Sequence, residues 1–126
     1  MDGLTHLGKQ TNEPTEKLDL IPWGGGKTVV TLNCSEFTSH CPVTKQPDFG
    51  SLIITYAPDQ NLAETKSVKL YLWRFRDTAK FNERIVDELA TDFFAQVKPR
   101  WVRVEGQFHP RGGISVTAVG TRGEAP

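Results

Sequence analysis

Residues 77–98, DTAKFNERIVDELATDFFAQVK, and the segment after them, residues 99–119, PRWVRVEGQFHPRGGISVTAV, decide how this chain folds. In the first stretch Phe81, Ile85, Leu89, Phe93 and Val97 recur every four residues. Val86, Ala90 and Phe94 widen that stripe, and Glu83, Arg84, Asp87, Glu88 and Asp92 occupy the remaining positions. The pattern predicts an amphipathic helix with one buried face. Asp77 or Thr78 is placed to cap its start, and Pro99 marks its end. The period then switches from four to two. Trp101–His109 alternates as a strand, Pro110-Arg111-Gly112-Gly113 is a tight turn, and Ile114–Val119 is a second strand.

Upstream, Ser67–Arg76 (SVKLYLWRFR) crowds its apolar residues, and periodicity fits helix and strand about equally. Lys27–Cys34 (KTVVTLNC) is β-branched and reads as a strand, as does Gly50–Tyr56 (GSLIITY). Ser35–Phe49 between them reads as a long loop punctuated by Pro42 and Pro47. Ala57–Leu62 is a turn signalled by Pro58-Asp59. Two strand pairs flanking a helical middle give an α+β fold. Its expected form is a four-stranded antiparallel sheet with two helices on one face. Such a sheet leaves two open edges, so pairing between copies into a homo-oligomer is expected.

The expected organisation is a flexible N-terminal arm over 1–26, one domain over 27–120 and a loose tail over 121–126. Pro14, Pro22 and Gly24-Gly25-Gly26 break regular structure in the arm. Gly26-Lys27-Thr28 resembles the end of a phosphate-binding loop. Ile21 stands where that motif needs its first glycine, and a strand follows instead of a helix, so the motif is rejected.

With 126 residues, the chain suits one modest core. Fifteen Lys plus Arg balance fifteen Asp plus Glu, so no net field draws it to nucleic acid or acidic lipid. Met1–Leu20 holds no apolar run, and no stretch nears the ~20 apolar residues of a membrane span. A cytosolic location follows as the expectation. The two cysteines, Cys34 and Cys41, lack zinc-site spacing, and a reducing compartment disfavours a bridge between them, so no metal is expected.

The stretch Phe37–Phe49 carries the best candidates for chemistry. Cys41 lies on it, Pro42 and Pro47 stiffen it, and Asp48 stands where it rejoins a strand. Composition and spacing alone favour a free thiol acting as a small hydrophobe and an aspartate making a turn.

Four motifs point further. They are Glu36-Phe37-Thr38-Ser39-His40-Cys41-Pro42 with Gln46-Pro47-Asp48-Phe49, then Glu64-Thr65-Lys66-Ser67-Val68-Lys69-Leu70-Tyr71, then Phe81-Asn82-Glu83, then Phe108-His109-Pro110-Arg111-Gly112-Gly113-Ile114. In that order they resemble the NADPH-dependent 7-cyano-7-deazaguanine reductases, the QueF family of queuosine biosynthesis. The resemblance is to the short single-domain type and runs from about Leu32 to Val119. It implies the tunnelling fold, related to that of GTP cyclohydrolase I, assembled into an oligomeric barrel. The family precedent is a decamer of two stacked pentamers.

The resemblance also implies a reaction. The nitrile of 7-cyano-7-deazaguanine becomes an aminomethyl group, with NADPH as the reductant. Cys41 is the implied nucleophile, forming a covalent thioimide, and Asp48 the implied proton carrier. Glu83 is the implied substrate anchor, since a carboxylate accepts from two N–H groups of a guanine-like edge. Asn82 stands beside it as a substrate contact. Glu64, Lys66, Ser67 and Lys69 belong to the motif that helps bind NADPH, which also favours a helix there. The product feeds a tRNA modification without the protein contacting tRNA.

The chain departs from the family pattern at Thr65, where Ser or Leu is usual, and at Asn82, where His is usual. Asparagine does not exchange a proton near neutral pH. Ile85 stands where some members carry a second cysteine. Two alternatives accompany this reading. One is an enzyme that passes the thioimide to an amine and makes an amidine. The other is a purine- or pterin-binding module with impaired catalysis.

Overall fold

A computed structural model describes residues 13–126. In chain order the elements are β1 (Leu20–Pro22), β2 (Val30–His40), β3 (Pro47–Ala57), β4 (Asn61–Ala63), α1 (Thr65–Trp73), a 3₁₀ turn (Arg74–Asp77), α2 (Asn82–Val97), β5 (Trp101–Arg111) and β6 (Ile114–Gly123). The main sheet is antiparallel with strand order β2-β3-β5-β6, and β1 pairs with β4 in a small second ribbon. The α+β expectation of a four-stranded antiparallel sheet with two helices holds.

The core follows from two periods meeting. Along β3, Leu52, Ile54 and Tyr56 are buried while Ser51, Ile53 and Thr55 between them are only half-buried. From α2, Ile85, Val86, Leu89, Ala90, Phe93 and Val97 are buried, and this face packs on β5 and β6. Phe93 meets Tyr56 edge-on at 4.9 Å between ring centroids. Ser67–Arg76, ambiguous by periodicity, is helical to Trp73 and turns 3₁₀ beyond it. Tyr71 ties α1 to α2 by donating to Asp92, and Arg74 lies over the Tyr71 ring at 4.8 Å while facing Glu88 and Asp92. No helix of the described residues is long and apolar enough to cross a membrane.

Four expectations need correction. Ser35–Phe49 is not a long loop. β2 continues through an irregularity between Cys34 and Phe37 and runs on to His40, and β3 starts at Pro47. Only residues 41–46 remain as the turn. The bulge hides the strand because it breaks the alternation by one residue.

Neither Asp77 nor Thr78 caps α2. The helix starts at Asn82 after Phe81, which makes no side-chain cap. Residues 78–81 are drawn away from the helix: Lys80 N–H donates to the His40 carbonyl at 3.2 Å, and Ala79 bridges His40.

The arm over 1–26 is not flexible throughout. Residues 1–12 lie outside the described residues, but Leu18 and Asp19 are buried and β1 pairs with β4. The domain also extends past residue 120, because β6 runs to Gly123. The end of α2 is as expected, with Lys98 left-handed at φ 54° just before Pro99.

Phe93→Ala is expected to destabilise the protein by about 3–5 kcal/mol, because a fully buried ring leaves a cavity against Tyr56. Urea unfolding followed by tryptophan fluorescence reads this directly. A loss below about 1 kcal/mol would place Phe93 outside the cooperative core.

Candidate functional site

The site is built where the two hairpins of the main sheet end. Gly50 on β3 is in register with Phe37 on β2 and with Phe108 on β5. The turn after β2 and the turn after β5 therefore lie at the same end of the sheet. The first is residues 41–46, closed by Cys41 N–H to the Gln46 carbonyl at 3.0 Å and Lys45 N–H to the Cys41 carbonyl at 2.9 Å. The second is Gly112-Gly113, with φ of 57° and 82°. Both values are positive, as a two-residue hairpin with right-handed strand twist demands.

Cys41 sits half-buried at the first residue of its turn. Its thiol pKa is lowered from an ordinary 9.0 to about 7. The largest cause is the Thr44 backbone N–H, followed by the Thr44 hydroxyl and the Val43 backbone N–H, with a smaller contribution from Arg111. Turn amides aimed at one sulfur form a small anion nest. Cys34, half-buried on β2, is the opposite case: burial pushes its thiol up. Both are free thiols. Of the two, only Cys41 is prepared as a nucleophile near neutral pH.

Asp48 lies opposite Ser39 in the β2–β3 register. Its Oδ1 is ion-paired to Arg111 Nε at 2.9 Å, and its side chain is only 11% exposed. The same guanidinium donates through Nη1 to Thr44 Oγ at 3.3 Å. One arginine from the second turn thus joins the carboxylate to the turn that holds Cys41. The sequence places Arg111 in a tight turn and assigns it no role in the site. Its position beside two consecutive glycines was the available signal, since a side chain at a tight turn projects past the sheet end.

Asn82 and Glu83 open α2. The contacts of Ala79 and Lys80 with His40 hold this helix start near the end of β2. Glu83 is exposed, in the first turn of the helix. Asn82 Oδ1 and Ser39 Oγ are both buried without a hydrogen-bond partner, which is uncommon in folded proteins.

The four residues Glu64, Lys66, Ser67 and Lys69 separate into two pairs. Glu64 caps α1: its carboxylate accepts from Lys66 N–H at 2.7 Å and Ser67 N–H at 2.8 Å. Ser67 is fully buried, donates to the Glu64 carbonyl at 2.7 Å and accepts from Asp19 N–H at 2.9 Å. The polar groups of Glu64 and Ser67 are thus engaged in the cap of α1. They set the helix from which Lys66 and Lys69 project. Among the described residues no cluster of three or more His, Cys, Asp or Glu side chains could hold a metal ion.

The fold is similar to that of a crystal structure of the archaeosine synthase QueF-Like in the apo form. The TM-score is 0.74 at 22% identity, covering 81% of this chain and 100% of that one. A family model described as QueF-like protein matches residues 47–126, a range that includes Asp48 and begins just after Cys41. The NADPH-dependent 7-cyano-7-deazaguanine reductase of Syntrophus aciditrophicus is 42% identical over 90% of this chain and 82% of its own. The protein of the same name from Anaeromyxobacter dehalogenans is 41% identical over 90% of this chain and 95% of its own. That from Chelativorans sp. is 39% identical over 98% and 85%. This chain belongs to the QueF-like family.

Alkylation of Cys41 by iodoacetamide is expected to rise with pH to half its maximum near pH 7, because the lowered pKa keeps the reactive thiolate populated to lower pH. Thr44→Val removes the hydroxyl donor, so the midpoint should move up toward 9.0, the ordinary thiol value. Peptide-resolved mass spectrometry separates Cys41 from Cys34. A midpoint that stays put in the variant would refute the role given to the Thr44 hydroxyl.

Proposed function

We propose that this protein reduces the nitrile of 7-cyano-7-deazaguanine to an aminomethyl group, with NADPH as the reductant and Cys41 as the covalent nucleophile. The observation that carries the reading is the Cys41 turn, where amide donors and Arg111 favour a thiolate and the same Arg111 is ion-paired to Asp48. The relatives named as reductases of this substrate, matched over most of their length, support it.

The thiolate of Cys41 adds to the nitrile carbon, and the nitrile nitrogen takes a proton, giving a thioimide. Asp48 is the proton carrier, and Arg111 orients its carboxylate toward the turn. NADPH, when bound, supplies hydride, and reduction of a nitrile to an amine needs two such transfers. After the first, collapse of the tetrahedral carbon expels the Cys41 thiolate and leaves an imine for the second.

Glu83 accepts from the N–H groups of the base, and Asn82 contributes a further hydrogen bond at the helix start. Lys66 and Lys69 supply positive charge for the cofactor phosphates, oriented by the Glu64–Ser67 cap. Two open sheet edges favour assembly into a homo-oligomer.

The direct test is NADPH oxidation in the presence of 7-cyano-7-deazaguanine, beside a Cys41→Ala control. Nitrile-dependent oxidation that the control lacks is expected, together with a Cys41 adduct by intact mass. An adduct without oxidation would overturn the reductase reading and leave an enzyme with a different acceptor.

A second expectation concerns Asn82. Asn82→His restores a group that exchanges protons near neutral pH, so kcat should rise about tenfold or more. Steady-state kinetics check this, and an unchanged kcat would remove proton transfer from the role of that position.

A further inference from the structure

Two serines among the described residues are fully buried, and they differ in what they touch. Ser67 donates to the Glu64 carbonyl at 2.7 Å and accepts from Asp19 N–H at 2.9 Å. Ser39 is equally buried, yet among the described residues its Oγ meets no hydrogen-bond partner. A hydroxyl buried this way loses its hydration uncompensated, so its retention calls for a reason.

Its position supplies one. Phe37 and Ser39 stand two residues apart on β2 and so share one face of the sheet. Phe37 packs there on Phe75 and Phe108, which makes it the face turned to the helical layer. Ser39 is paired directly with Asp48, and opposite residues of an antiparallel pair hold their Cβ atoms roughly 4.5–5.5 Å apart. Asp48 is itself held by Arg111. Cys41 follows two residues after Ser39. His40, between them, bridges Ala79, and its carbonyl accepts from Lys80 N–H at 3.2 Å, which keeps the start of α2 close by. Asn82 Oδ1, at that helix start, is also buried without a partner. Of the three such atoms among the described residues, two therefore border the end of the sheet that carries Cys41 and Asp48.

Addition of a thiol to a nitrile sets a requirement at that place. A sulfur–carbon bond forms, one π pair of the carbon–nitrogen bond moves to nitrogen, and the nitrogen must take a proton. The group that delivers it has to donate and accept in turn. A carboxyl and a hydroxyl both do so, whereas the Asn82 amide does not exchange a proton near neutral pH. We propose that Ser39 is a further catalytic residue of this site. Its hydroxyl gives a proton to the nitrile nitrogen as Cys41 adds, and its oxygen takes a proton from Asp48. Asp48 carries the proton that the Cys41 thiol gives up, so the step is balanced. The proposal rests on the covalent reading of Cys41 and deepens it.

Two rates measured on the full chain test it. One is formation of the Cys41 adduct with 7-cyano-7-deazaguanine, followed by intact mass without NADPH. The other is alkylation of Cys41 by iodoacetamide, followed by peptide-resolved mass spectrometry. Alkylation expels iodide and needs no proton at nitrogen. Ser39→Ala should slow the nitrile adduct about a hundredfold, the size of one positioned proton donor, and leave alkylation within about twofold. Its thermal midpoint should not fall, because the hydroxyl has no partner to lose. Ser39→Cys keeps a weak donor and should recover part of the adduct rate. It is the second variant should Ser39→Ala fail to fold. Ser51→Ala, on the opposite face of β3, should change neither rate.

An adduct rate in Ser39→Ala equal to that of the wild type overturns the proposal and leaves Cys41 as the nucleophile. Equal slowing of adduct and alkylation makes Ser39 a packing residue and likewise overturns it. A wild-type protein that forms no adduct with the nitrile overturns both this proposal and the covalent reading.

Discussion

Everything at the site depends on the double pairing of β3. It is hydrogen-bonded to β2 on one side and β5 on the other, and Gly50, near the turn end, is paired in both registers. A Cβ at Gly50 would stand 2.4 Å from the Gln107 carbonyl, so the close approach of β3 to β5 requires glycine there. Because strands on both sides of β3 run antiparallel to it, their turns emerge at one end of the sheet. Arg111 then lies within ion-pair distance of Asp48, though 63 residues separate them (111 − 48).

That geometry explains why two thiols in one small domain differ. Cys34 is placed along β2, where burial opposes its ionisation. Cys41 begins a turn whose amide groups converge, and converging dipoles favour an anion. The same principle operates in reverse at α1. There the anion is the protein's own: the Glu64 carboxylate satisfies the first amides of the helix, and Ser67 closes the cap toward Asp19. The first feature prepares chemistry, and the second supports a helix that presents lysines.

Local pattern misdescribes residues 35–49, where β2 ends and β3 begins. Two prolines and a run of polar residues look like a loop, yet Phe37 and Ser39 are buried strand residues. The bulge at Ser35 and Glu36 shifts the alternation and conceals the strand from any local pattern. The start of α2 departs from local preference for a related reason. Asp77 and Thr78 are good caps in isolation, but residues 78–81 are drawn into contact with His40, which no neighbouring residue predicts.

The sequence by itself determined the elements that rest on local periodicity and punctuation. Those are the amphipathic α2 with its stop at Pro99, the Gly112-Gly113 hairpin, the β-branched strands, and four motifs specific enough to name a family. The tertiary structure decided what depends on distant residues meeting. It gave Arg111 its partners in Asp48 and Thr44, turned Glu64 and Ser67 into a cap, and put Lys69 and Arg76 along one cleft. The physical reason is the range of the forces. Backbone preference and side-chain period act over a few residues, whereas ion pairs, buried polar groups and clefts form only once strand register brings remote segments together.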